Sequence, residues 1–466
     1  MEEWIDAERH VERAHELYEL GRWDEAESEL REALALNPYR AEWHFNLGLT
    51  LDAAGRHTDA SDAFRAAHEL EPDDPQIVLM MGVACMNAGK YRESLAWFQR
   101  AEKLDPQSAT SFVHRIAAHA ALGEHDQAEV MFYLAQQLKH DDAEAYANLA
   151  DSLLQRGKND KAIWCLREAA QLDPHLPRVH SRLAQAYAAT ERLERARQLF
   201  LLELRQEPGD TETLLDLGEL LVRMNRHVEA GEKFRRVLEL EPDNPDAHCL
   251  LGDLALDQGD PEEARRQFDV VLRLDPDFPG ARRRMARLLI DQRSPDYVPE
   301  SRNLLGADLV LYRQDADSFT PEDLEDLGRL LLDARMASEA RAVFSDLARH
   351  RHGDAATTHL LAVACFEMGD PAAGIEASRD VLRIDPSFVP AMHNIAVAAV
   401  RGRDWTTARY WTRQALEIDP DDAAVRRLRL KLRLHAFAEA LQLAGVGMGE
   451  LTRAVTRSRR SPLSQS

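Results

Sequence analysis

The sequence predicts an all-α chain of tandem helix–turn–helix units, on three observations. The stretch GRWDEAESELREALALNP at residues 21–38 returns as GRHTDASDAFRAAHELEP at 55–72 and as GKYRESLAWFQRAEKLDP at 89–106, 34 residues on each time. Apolar residues inside each copy recur at three- and four-residue spacing, the period of an amphipathic helix. Each copy also starts with glycine and closes with proline, residues that favour a turn and a helix stop. A fixed internal period of this length overrides the several-domain expectation that 466 residues would otherwise carry.

Counted from Ala7, unit starts fall at Ala41, Pro75, Ala109, Ala143, Pro177, Thr211 and Pro245 without a slip. The first helix of a unit carries apolar residues such as Phe45, Leu47 and Leu51. Its eighth position is small (Ala14, Gly48, Gly82, Ala150, Ala184, Gly218, Gly252), with Ile116 the exception. Gly21, Gly55, Gly89, Gly123 and Gly157 then supply the turn, since glycine takes positive φ at little cost. In the second helix the twentieth position is Ala or Ser, which lets helix axes approach. The twenty-fourth is Leu or Phe, filling the gap beside it. Proline at the thirty-second position, replaced once by His140, blocks further helix.

This pitch, the small residues at eight and twenty and the proline at thirty-two resemble the tetratricopeptide repeat (TPR) family. The resemblance implies helix pairs stacked into a right-handed α-α superhelix, with the first helices lining a concave surface and neighbouring pairs sharing the core. It covers almost the whole chain.

Residues 1–278 hold the eight regular units. A ninth, 279–320, starts at Pro279 and breaks into DQRSPDYVPES at 291–301, read as a loop insertion from its two prolines and serines. The next start, Pro321, comes eight residues late, so the insertion is either a hinge or a tolerated bulge. Three more units fill 321–422. A capping helix is expected over 423–444, where Leu428, Leu430, Leu432 and Leu434 alternate. Wound into a helix they fall on two opposed faces, one for the array and one left over as a contact surface, possible for a homodimer through 423–444. The basic tail 445–466 is expected to be disordered.

Net charge is −23, yet residues 423–466 hold nine Lys and Arg against two Asp and Glu, so the body before them carries −30. Repulsion from phosphate makes nucleic acid a poor partner for that body. The alternative reading, an RNA-associated helical repeat, rests on the basic C-terminal segment. The acidic N-terminus reads as no signal peptide and no apolar run reaches membrane-span length. Four widely spaced cysteines, Cys85, Cys165, Cys249 and Cys365, fit a reducing, cytoplasmic setting.

No phosphate-binding loop, nucleophile elbow or zinc signature occurs, so no catalytic, cofactor or metal site is expected. His44, His180 and His248 share the fourth position of their units and read as packing residues; His114 and His119 lack ligand spacing. The expected activity is that of a non-catalytic scaffold or adaptor, holding a partner peptide or helix on the concave surface. As in TPR relatives, positions 2, 5, 9, 12 and 13 of the first helix would face the groove. In units two to four these include Phe45, Leu49, Leu79, Val83, Met86 and Val113, an apolar strip. The carboxylate clamp of chaperone-adaptor TPRs is absent, because position 5 is Val11, Phe45 and Leu79. The asparagine ladder of O-GlcNAc transferase TPRs is absent too. Farther on, Asp216, Glu219, Asp246, Asp253 and Asp257 meet Arg283, Arg284 and Arg287, which are either inter-repeat ion pairs or a charged recognition boundary.

Overall fold

Several repeats are opened by a side-chain cap, and repeat 3 shows how one is opened and closed. Asp74 precedes the helix Pro75–Asn87, and its Oδ1 accepts from the N–H groups of Gln76 at 2.8 Å and Ile77 at 3.0 Å. Two donors that the first helical turn leaves orphaned are thereby satisfied. Gly89 then takes φ +74°, and the Lys90 N–H reaches back to the Cys85 carbonyl at 2.8 Å, ending the helix as a Schellman turn. Tyr91–Leu104 forms the second helix.

A computed structural model describes residues 2–292, 298–350 and 354–443, and all regular structure in them is helical. Twelve helix pairs and a final helix follow in order. The chain divides into two compact parts, 1–247 and 248–466. In the first, the pairs run from Glu2–Glu19 with Trp23–Leu36 through Ala41–Ala53 with His57–Leu70, and on to Thr211–Arg223 with His227–Leu240. In the second, they include Pro261–Leu274, Ala281–Asp291 with Val298–Gln314, Pro321–Asp333 with Ala337–His350, and Val389–Arg401 with Trp405–Ile418. The helix Ala423–Leu443 closes the described chain.

The pairing of helices is a matter of volume. A Cβ added to Gly82 would lie 2.5 Å from the Phe98 ring, and Gly48, Gly218, Gly252 and Gly328 meet Phe64, Phe234, Phe268 and Phe344 in the same way. All five rings are fully buried. Where the eighth position is alanine, Leu replaces Phe in Ala14–Leu30 and Ala150–Leu166. Repeat 6 departs from this, with Ala184 and Phe200. In repeat 11 the ring comes from the first helix instead: a Cβ on Gly374 would meet Phe366 at 2.7 Å. Burying one such ring contributes about 1.5–3 kcal/mol.

Repeat 9 takes up its eight extra residues in three places. Its inter-helix segment is six residues rather than three, its second helix seventeen rather than fourteen, and the link to Pro321 six rather than four. The loop read over 291–301 is therefore shorter than expected, because Val298–Ser301 are helical and Ser301 is buried. Pro299 sits in the first turn, where a missing N–H costs nothing. Residues 293–297 and the tail 445–466 lie outside the described residues, as does part of the 349–354 histidine segment.

Candidate functional site

The first helices of repeats 1 and 2 frame a groove of about 550 Å³. Tyr18, Val11 and Leu49 give it an apolar floor, while Glu12, Arg40 and Asn46 stand at its margin. Tyr18 is held from below by Trp23, ring centroids 5.0 Å apart. Two of the anchoring residues, Val11 and Tyr18, lie outside the strip expected from units two to four. Their signal was in the sequence: they occupy positions 5 and 12 of the first repeat.

The expected strip itself is only partly present. Leu49, Leu79, Val83 and Met86 are half-buried on their first helices. Phe45 is half-buried too, its ring packed on Phe64 with centroids 5.6 Å apart. Val113 does not line a surface: it is 1% exposed. Its carbonyl accepts from Asn148 Nδ2 at 3.3 Å, so the first helix of repeat 5 lies directly against that of repeat 4. The alanines Ala117 and Ala120 on one side and Ala145 and Ala147 on the other permit this approach. The apolar strip closes at repeat 4 as a result.

Beyond it the first helices present a polar ladder. Arg182 Nε donates to Asp151 at 3.1 Å, and Gln185 Nε2 donates to Asp216 at 2.7 Å. Burial raises the Asp151 and Asp216 carboxyls above their ordinary range, against the pull of Arg182 and Gln185. Glu219 is also raised, by burial first and then by Asp216 and Asp246.

In the second part of the chain the three arginines are all engaged. Arg283 is 7% exposed; its Nη1 donates to the Asp323 carbonyl at 2.9 Å and its Nη2 pairs with Asp323 Oδ1 at 2.7 Å. Its Nε lies 3.5 Å from Asp308, and its guanidinium is 5.4 Å from the Phe319 ring. It is an internal clamp, the ion-pair alternative of its two readings. Arg284 Nε donates to both oxygens of Asp253, at 2.9 and 3.1 Å, and Arg287 pairs with Asp326. Burial pushes the Asp253 carboxyl up even so. The inter-repeat ion pair is the arrangement present at these positions.

The histidines are bound within the chain. His44 Nε2 meets the Pro38 carbonyl at 2.9 Å, His248 Nδ1 meets Gln267 at 2.7 Å, and His114 stacks on Phe98 with its pKa lowered by burial. Among the described residues no group of His, Cys, Asp and Glu could hold a metal ion.

Models of the tetratricopeptide repeat match residues 11–75, 53–111, 150–190, 215–279 and 359–423, more than half of the chain. The chain belongs to the tetratricopeptide repeat family. No relative is found among curated proteins. Among solved structures it is similar to the Cut9–Hcn1 hetero-tetramer of the APC/C at 13% identity, covering 90% of this chain and 95% of that one, TM-score 0.40. It is similar to Pseudomonas aeruginosa pilF at 20% identity, covering 44% and 92%, TM-score 0.38. A third is YrrB, described as a TPR protein with an unusual peptide-binding site, at 19% identity, covering 40% and 95%, TM-score 0.32. At these values the likeness carries no argument about this chain. The tetratricopeptide solenoid is nonetheless an interaction fold, and no described helix is long and apolar enough to cross a membrane.

Proposed function

We propose that this tetratricopeptide protein is a non-catalytic scaffold that holds an extended peptide or amphipathic helix of a protein partner along the first helices of repeats 1 to 3. The observation that carries this is the groove of about 550 Å³ between repeats 1 and 2, continued by the half-exposed Leu79, Val83 and Met86. Two or three apolar anchors seated there would each contribute about 1.5–3 kcal/mol before ordering costs, which supports micromolar binding. A cytoplasmic setting goes with this reading, since all four cysteines are unpaired and buried, with the Cys165 thiol pushed up to about 11 by burial.

Selection of a displayed peptide library on the full chain tests the proposal. Peptides with two or three bulky apolar residues should enrich, and the Leu79→Asp/Val83→Asp double variant should fail to enrich them while keeping its helical circular dichroism. Equal enrichment on both proteins would overturn it.

A further inference from the structure

The helix Ala423–Leu443 begins 34 residues after Val389 and so stands where the first helix of a thirteenth repeat would stand. Val425, Leu428 and Leu432, its third, sixth and tenth positions, are buried against repeat 12. In repeat 3 the fourth, seventh, eighth and eleventh positions (Val78, Met81, Gly82 and Cys85) are also buried, with Gly82 against the second helix of its own repeat. In the last helix those four positions are Arg426, Arg429, Leu430 and Arg433, all exposed. Leu434 and Phe437 extend the stripe by one and two turns, each 60% exposed. Among the described residues this first helix has no second helix of its own beside it.

The place beside it has a shape. Between the second helix of repeat 12 and the last helix runs a groove of about 450 Å³, floored by Leu416 and Leu432 and walled by Arg413, which pairs with Glu417 at 2.9 Å, and by Arg429 and Arg433. Within the array this place is filled by the next second helix: His68 of repeat 2 meets Trp97 of repeat 3 with ring centroids 5.3 Å apart, and Leu416 is the residue equivalent to His68. It also has a charge. Arg429 and Arg433 have no acidic partner among the described residues. By contrast Arg182, Arg223, Arg284 and Arg287 on other first helices each have one.

We infer that this face takes an acidic amphipathic helix of a partner protein, seated where the second helix of a thirteenth repeat would stand. Apolar residues on one stripe of that helix would cover Leu430, Leu434 and Phe437, and its carboxylates would meet Arg429 and Arg433 in charge-assisted pairs. The chain's own continuation fits poorly, because residues 444–466 hold four Arg and one Glu. A second copy of the same face also fits poorly, since a twofold contact would set Arg429 and Arg433 against their own images.

A fluorescent peptide with the sequence of residues 23–36, WDEAESELREALAL, is the probe. It copies the chain's own second helix richest in acid, five acidic residues against one arginine. Titrated with the full chain and read by anisotropy, it should bind saturably, while a scrambled peptide of the same composition should not. Arg429→Glu/Arg433→Glu and, separately, Leu430→Asp should each weaken binding about tenfold or more. These side chains are exposed, so the variants keep the fold, and an unchanged thermal melt verifies that. In a Leu79→Asp/Val83→Asp background, where the groove of repeats 1 to 3 no longer takes apolar anchors, the probe should still bind and binding should still fall with Arg429→Glu/Arg433→Glu, which separates the two faces. Equal binding by the charge-reversed variant, equal binding of the scrambled peptide, or no binding at all would overturn the inference. So would a concentration-dependent dimer abolished by Leu430→Asp without peptide binding, which would assign the face to a second copy. Retention on phosphatidylserine vesicles with the same loss and no peptide binding would assign it to a membrane.

Discussion

In repeat 3 the two helices are held by shape: Gly82 offers no Cβ, and the Phe98 ring fills the space at 0% exposure. In repeat 9, whose second helix is three residues longer, a buried arginine takes part instead, with Arg283 between Asp308 and Asp323. Shape is the cheaper device, because an apolar contact asks for no desolvation, whereas burying a carboxylate and a guanidinium nearly cancels their attraction. What charge adds is demand for its partner. Burial raises the Asp308 carboxyl against the pull of Arg283 and Arg282, and losing Arg283 removes the larger of those pulls. The longer repeat thus trades tolerance for a fixed register.

The largest expected effect comes from breaking the charged repeat. Arg283→Met should destabilise the chain by about 3–5 kcal/mol, measured by denaturant unfolding of the full chain. Adding Asp308→Leu should recover a substantial part; a double variant no better than the single would show that the network is not what holds repeat 9. Repeat 3 should break less severely. Gly82→Ala puts a Cβ 2.5 Å from the Phe98 ring and should cost about 1–3 kcal/mol. Phe98→Leu added to it recreates the Ala–Leu pairing of repeats 1 and 5, and should restore more than half of the loss. If Gly82→Ala is neutral, the volume argument fails.

A smaller effect sharpens the role of charge without a partner. Burial and the neighbouring carboxylates raise Glu219, so the native state holds that proton to higher pH than the unfolded chain does. The stability it contributes is full below the unfolded carboxylate range and is lost as pH rises through the folded value. Glu219→Gln should therefore be the more stable protein at neutral pH, by less than about 1 kcal/mol because water reaches this group, with the gap closing on acidification. Melting curves across the acid range read it; a gap that widens instead would reverse the sign. Smallest of all, Arg335 holds φ +60° at the turn position where Gly55 holds φ +76°. Arg335→Gly should stabilise by about 0.5 kcal/mol or less, read by thermal melts.

The fold was legible in the sequence because its determinants are local and periodic. Glycine at the turn and the paired volumes of positions 8 and 24 can be counted off the chain, as can an aspartate cap such as Asp74. Repeat 9 was harder to read. Pro299 signals a break in sequence, yet in the first turn of a helix it is a favoured residue, and nothing local distinguishes the two. The site was less legible still. Leu79 and Val113 occupy the same position of their repeats, and one is half-exposed while the other is buried. The difference comes from how closely the next first helix approaches, which residues of another repeat decide. The sequence left two readings of Arg283 open for the same reason: its partner Asp308 sits in the run LLGADLVL, an acid among apolar residues and the one available hint.

The Gly82–Phe98 lock has a consequence for how such a chain can change its length. Both members belong to one repeat, so removing or copying a whole period carries the lock with it and rejoins equivalent neighbours. Cutting by any other amount would strand a ring without its hollow. Growth and loss in this molecule are therefore quantised in whole turns of its own pattern, and repeat 9, which borrows its clamp from Asp323 of the following repeat, is the one place among these where a single period is not a transferable part.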